Sequence, residues 1–148
     1  MHIFEVKENK KQYLELLLLA DEQEDMIDRY LERGTMYMLV DDDLCCECVV
    51  TDEGEHVLEI KNLAVSPDRQ KRGYGRMMIE FVAGHAAGRY HTLLVGTGDS
   101  PLTIPFYERC GFVRSHIVED FFTEHYDHPI IEDGVLLRDM IYLKRKIG

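Results

Sequence analysis

Leu63-Ala64-Val65-Ser66-Pro67-Asp68-Arg69-Gln70-Lys71-Arg72-Gly73-Tyr74-Gly75-Arg76 is the stretch that decides how this chain folds. An apolar triplet closes an extended run, and Pro67 and two glycines then break it. An amphipathic segment follows, with Met77, Met78, Phe81, Val82 and His85 on one helical face. Thr92 to Val95 is a short apolar run that reads as a buried strand. Strand, glycine-bearing turn, helix and strand make a βαβ unit, whose two strands run parallel. Glycines let a ligand approach the backbone closely, and the free N–H groups of a helix start attract anions. Residues 66–76 carry four basic side chains and one acidic one, a local +3, which leaves −14 on the rest of the chain. A bound phosphate or pyrophosphate would explain such a patch; an ordinary glycine-rich turn with solvated cations is the plain alternative. The spacing is not the G-x-G-x-x-G of a dinucleotide fold, and no G-x-x-x-x-G-K-[ST] occurs.

Upstream, alternation over His2 to Val6 suggests an opening strand. Tyr13, Leu16, Leu17 and Ala20 give Lys10 to Ala20 a helical period. A second helix is expected directly after it, with Asp21 as cap, Glu24 completing a capping box, and Met26, Ile27, Tyr30 and Leu31 on its apolar face. Thr35 to Val40, Leu44 to Val50 and His56 to Val65 read as a β meander with polar turns. Downstream, Pro105 is tolerable only in a helix's first turn, so a short helix capped by Thr103 and stopped by Gly111 follows. Two long strands, about Phe112 to Tyr126 and Leu136 to Lys146, close the chain, with Asp133-Gly134 between them.

The whole chain has 148 residues, with 17 basic and 28 acidic side chains and a formal net charge of −11. That balance disfavours binding to nucleic acid or to an anionic membrane. No run approaches the ~20 apolar residues of a membrane helix, and Met1 to Val6 lacks a signal-like apolar core, so a cytoplasmic setting is expected. Cys45, Cys46 and Cys48 crowd one strand, on which Cys45 would face away from the other two, and Cys110 lies far off. Reduced, buried thiols are the expectation, and no residue is assigned to a metal; His125, Asp127 and His128 form a trio in a loop beside Pro129. His85, on its helix's apolar face, reads as core, and Glu119, Asp120 and Glu124 read as a solvated strand face.

Two motifs give the chain a family resemblance. Gln70-Lys71-Arg72-Gly73-Tyr74-Gly75 matches Q/R-x-x-G-x-G/A, and Phe106-Tyr107-Glu108-Arg109-Cys110-Gly111-Phe112 matches F/L-Y-x-x-x-G-F. In that order, with the βαβ unit between them, they resemble the GNAT superfamily of acetyl-CoA-dependent N-acetyltransferases. The details are similar to small bacterial members labelled IAA acetyltransferases. The resemblance covers nearly the whole chain and implies one α/β (α+β) domain over residues 1–148. A mixed sheet of about seven strands with about four helices would splay two parallel strands at the cofactor.

The resemblance also implies where acetyl-CoA would lie. Leu63, Ala64 and Val65 would present the strand whose backbone pairs with the pantetheine arm. Gln70, Lys71, Arg72, Gly73, Tyr74, Gly75 and Arg76 would form the pyrophosphate loop, and Phe106 would pack near the arm. Many relatives carry an Asn before the late helix; here Asp99 or Ser100 stands there, and Ser100 is preferred because a carboxylate suits an anionic cofactor less. Tyr107 occupies the family's general-acid position, and a phenol is protonated at neutral pH. Glu59, four residues before Leu63, resembles the general base of the superfamily's histone acetyltransferases. The implied reaction moves acetyl from acetyl-CoA to a primary amine of a small molecule or peptide by direct attack. A non-catalytic acyl-CoA sensor on the same fold is the alternative, and a homodimer is expected from the resemblance alone.

Overall fold

The computed structural model describes residues 1–148. In chain order its elements are β1 (His2–Val6), a 3-10 turn (Lys10–Tyr13), α1 (Leu14–Ala20), α2 (Glu24–Ile27), β2 (Thr35–Asp41), β3 (Asp43–Asp52) and β4 (Val57–Val65). A second 3-10 turn (Pro67–Arg69) leads to α3 (Tyr74–Ala86), β5 (Thr92–Gly98), α4 (Thr103–Arg109), β6 (Val113–Val118) and α5 (Phe121–His125). The small strands β7 (Ile131–Glu132) and β8 (Val135–Leu136) precede β9 (Met140–Lys146). No helix is long and apolar enough to cross a membrane.

Seven strands form one mixed sheet, as the family resemblance implies, in the order β1-β2-β3-β4-β5-β9-β6, and β7 and β8 form a separate hairpin. All pairs in the large sheet are antiparallel except β4 with β5. Those two pair only over Val57–Ile60 and Thr92–Val95, and then part. Two features drive the parting. In β4 the register shifts so that Asn62 opposes Val49 and Ile60 opposes Val50, leaving Lys61 as an extra residue. In β5, Gly96 and Gly98 let the strand hug what lies beyond it: a Cβ would stand 2.9 Å from Met140 Sδ at Gly96 and 2.6 Å from Leu137 Cδ1 at Gly98.

Period-two alternation fills both faces of the sheet. In β2, Met36 and Met38 join Leu17, Ile27, Leu31 and Val49 under α1 and α2. Tyr37 and Leu39 join Met78, Ile79, Val82 and Leu93 under α3. Lys10, although charged, is buried and staples the first face: its Nζ donates to the carbonyls of Leu31 at 2.9 Å and Gly34 at 2.7 Å, the loose end after α2.

Several sequence expectations are corrected. Lys10–Ala20 divides into a 3-10 turn and α1. Gln23, not Asp21, precedes α2, which is only four residues long, because Asp21 is drawn to two tyrosine hydroxyls and Glu24 to Lys11. Thr103 is the first residue of α4 rather than its cap; its hydroxyl meets that of Thr97. β5 runs on to Gly98, because its glycines are needed for packing rather than turning. The long run from Phe112 to Tyr126 is a six-residue strand and a helix, turned at Asp120, where φ is 55°. The last long strand starts at Met140, since Leu136 pairs in the β7–β8 hairpin. The α-helices number five, against about four expected. His85 is exposed, stacked on Phe81, rather than core. All four thiols are free and buried. A bulge opposite Leu39 and Val40 makes Cys45 the extra residue, so it shares a core with Cys46 and Cys48 instead of facing away.

Candidate active site

The loop after β4 builds an anion cradle. Gly73, at φ 87°, precedes α3 without a side-chain cap, and no acidic residue lies in the first turn, so the first N–H groups of a thirteen-residue helix stay open. Lys71, at φ 64°, and Arg72 and Arg76 are exposed around that end and make no ion pair within the chain. The fourth cation, Arg69, is bound elsewhere: it donates to the Asp41 carbonyl at 2.8 Å. Tyr74 likewise turns inward, its hydroxyl donating to Asp41 Oδ2 at 2.6 Å, so only its backbone faces the cradle. Gly75 lies under Phe106, with room for a Cβ only 3.2 Å from the ring's Cζ. Gln70 donates to the carbonyl of Val65 at 3.3 Å, beside the strand where Leu63 and Val65 are half-buried and Ala64 is buried.

Where β4 and β5 part, a cavity of about 270 Å³ opens. Leu63 and Tyr107 line it together with Asn62 and Gly96. Tyr107 is 8 % exposed, packed edge-on against Phe106 and Phe112. Burial, with the buried thiols of Cys48, Cys110 and Cys46 around it, pushes its phenol far above the usual range, so it holds its proton at every physiological pH. Phe106 is half-buried against the main core between Gly75 and Tyr107. Ser100 is buried, and its hydroxyl accepts the N–H of Leu102 at 3.1 Å, which shapes the turn into α4; Asp99 is exposed.

Glu59 does not line the cavity. Glu59 is 6 % exposed, and its carboxylate is 3.0 Å from the ammonium of Lys61, which does line it. Burial raises the Glu59 pKa above the ordinary carboxylate range, and Lys61 pulls it back in part.

The opposite wall of the cavity comes from residues that sequence reasoning used otherwise. Asp21 lines it, its Oδ2 accepting from the Tyr30 hydroxyl at 2.9 Å and its Oδ1 from Tyr126 at 2.6 Å. Burial pushes its pKa up, and the two hydroxyls draw it partly back. Asn62 donates to Tyr30 at 3.1 Å. The wall is tied down by Asp127 N donating to Gln23 Oε1 at 3.0 Å and by His128 paired with Glu22 at 3.3 Å. Asp127 also holds His128 at 2.6 Å and is the main reason the imidazole pKa is raised; no three His, Cys, Asp or Glu side chains converge as metal ligands. Capping propensity is the only local signal at Asp21, and it pointed to the helix rather than to tyrosines 9 and 105 residues away.

The comparisons agree with this geometry. A family model for the acetyltransferase (GNAT) domain matches residues 32–114. The uncharacterized N-acetyltransferase YvbK of Bacillus subtilis (strain 168) is 36% identical over 140 residues, covering 93% of this chain and 90% of its own. A GNAT family acetyltransferase from Elizabethkingia anophelis, solved with acetyl-CoA bound, superposes with a TM-score of 0.91 at 31% identity, over 98% of this chain and 97% of that one. An IAA acetyltransferase from Bacillus cereus ATCC 14579 gives 0.90 at 34% identity, over 98% of each chain. The chain belongs to the GNAT acetyltransferases.

Proposed function

We propose that the protein transfers the acetyl group of acetyl-CoA to a primary amine by direct attack of the amine on the thioester. The single observation that carries this is the parting of β4 and β5 between an uncapped, cation-rimmed helix start and a buried, protonated tyrosine. The acetyl-CoA complex of the Elizabethkingia relative supports the choice of cofactor. In this reading the backbone of Leu63 and Val65 completes its hydrogen bonds with the pantetheine arm, where β5 no longer supplies them. Open N–H groups from Lys71 to Arg76 and the cations of Lys71, Arg72 and Arg76 receive the pyrophosphate. Phe106 packs along the arm beside Gly75, and Ser100 shapes the turn at its far side.

The amine nitrogen forms the new C–N bond at the thioester carbon, and the C–S bond breaks as the tetrahedral intermediate collapses. Tyr107 gives its proton to the departing thiolate. The proton lost by the amine passes through water to Glu59, which stands behind Lys61 at the cavity edge. That water route fits Glu59's place outside the cavity and its raised pKa. The free, buried thiols suit a reducing cytoplasm. Light scattering decides the homodimer that the family resemblance implies.

The test is thiol release from acetyl-CoA with and without an amine panel, run beside Tyr107→Phe. Amine-dependent release is expected. The variant is expected to lose about 10²-fold or more in kcat, the usual contribution of a positioned acid, while its Kd for acetyl-CoA stays within about twofold. Full activity in Tyr107→Phe would remove the residue from the reaction. An absence of amine-dependent release would remove the reaction itself.

A further inference from the structure

This inference rests on the reading of the cavity as the acceptor chamber and concerns what the chamber accepts. The Asp21 carboxylate is aimed from two sides, by Tyr30 at 2.9 Å and Tyr126 at 2.6 Å. Each hydroxyl uses one lone pair of one oxygen, so the carboxylate retains acceptor capacity toward the cavity it lines. Asn62 adds an independent observation, an unpartnered acceptor. Its Nδ2 donates to the Leu17 carbonyl at 3.0 Å, and a carbonyl can only accept, which fixes the amide's orientation. The same Nδ2 donates to Tyr30 at 3.1 Å. Asn62 Oδ1 is thereby left buried without a partner, on a residue that lines the same cavity. The wall here offers a carboxylate with lone pairs to spare and one unpartnered amide oxygen.

Its charge is equally one-sided. Lys61 is the lining cation, and Glu59 already holds it at 3.0 Å. Glu22 is engaged by His128 at 3.3 Å, and Glu132 has the Ser100 hydroxyl beside it. Of the remaining lining groups, Thr97 and Thr103 bond to each other at 2.7 Å, and Leu19, Phe122, Ile130 and Leu137 give an apolar stretch of wall beside Asp21.

We infer that Asp21 is the specificity-determining residue that receives the ammonium group of the acceptor. The geometry suits an alkyl or arylalkyl monoamine with an apolar body, rather than a polyamine, an aminosugar or a lysine peptide. The contact belongs to docking. A carboxylate beside the nitrogen favours the ammonium form, so the extra proton leaves through water to Glu59 before the neutral amine attacks, and the Asp21 interaction is made in the ground state.

The experiment is steady-state thiol release at saturating acetyl-CoA, with hexylamine and phenethylamine set against spermidine, kanamycin and a lysine peptide. The two apolar amines are expected to lead in kcat/KM by about tenfold or more. Asp21→Asn should raise their KM by about tenfold or more, the loss of one charge-assisted contact. Its kcat should stay within about twofold, and its KM for acetyl-CoA should not move. Tyr126→Phe should show the same pattern more weakly. If Asp21→Asn does not melt as a folded protein, Tyr126→Phe and the panel on the unaltered chain decide. An unchanged amine KM in the variants, or a polar acceptor leading the panel, overturns the inference and leaves acetyl transfer standing. No release with any amine, from a protein that still binds acetyl-CoA, overturns both.

Discussion

Glu47 has no part in the reaction, yet it is the most unusual side chain in the molecule. It is fully buried in β3 opposite Ala64, and neither carboxyl oxygen has a partner. An unpaired charge there costs several kcal/mol, so burial pushes its pKa well above the usual carboxylate range and favours the neutral form. The folded pKa is raised, so this group's contribution to stability is complete below the unfolded value of about 4.3 and is lost as pH climbs toward the folded one. Each pH unit in that window costs up to about 1.4 kcal/mol. Glu47→Gln keeps the shape and removes the titration. Urea midpoints should therefore show the variant gaining on the parent as pH rises from about 4 to about 8, with a flatter profile. Parallel profiles would show that Glu47 does not titrate in this window. That Tyr107 and Phe106 stand side by side was legible in the sequence because both lie within one short motif. The Asp21 anchor was not, because its partners arrive from 9 and 105 residues away.

At the scale of elements, the start of α3 and the arm of β4 act as one device, and Gly75 joins them. A Cβ at this position would stand 3.2 Å from Phe106 and 3.6 Å from Val65. Gly75→Glu would displace Phe106 and place a negative charge in a cradle built for an anion. Calorimetric titration should show acetyl-CoA binding weakened by about 10²-fold or more; unchanged affinity would refute the loop as the pyrophosphate site. The βαβ unit that holds this device was readable because strand, glycine turn and amphipathic helix are local patterns. The element after β6 was misread for a physical reason. Phe121, Phe122 and Tyr126 have the composition of a strand, but Asp120 adopts a left-handed turn and the aromatics fold onto Ile130 and Leu137 instead. β5 was cut short because Gly96 and Gly98 look like a turn until Met140 and Leu137 are seen pressing on them.

Across the whole molecule, the charge of −11 divides into a positive cradle and an acidic remainder. An anionic cofactor and a cationic acceptor would then each be drawn by opposite regions of one small surface. The screening length falls from ~10 Å at 0.1 M salt to ~3 Å at 1 M. The Kd for acetyl-CoA and the KM for an amine should both rise over that range, by several-fold, while kcat changes little. Salt-independent values for both would show that the field of the surface plays no part.

The acceptor wall has a core of its own. Phe122, Ile130 and Leu137 form a cluster separate from the two larger ones, and Tyr126, Asp127 and His128 fasten it to the side chains of residues 21–23. A unit with so little buried area opens locally at far lower cost than the whole domain unfolds. Residues 120–139 therefore form a separate cooperative unit, whose amides should exchange hydrogen while the sheet beneath stays protected. Equal protection of the two regions would show that the wall is held as firmly as the sheet.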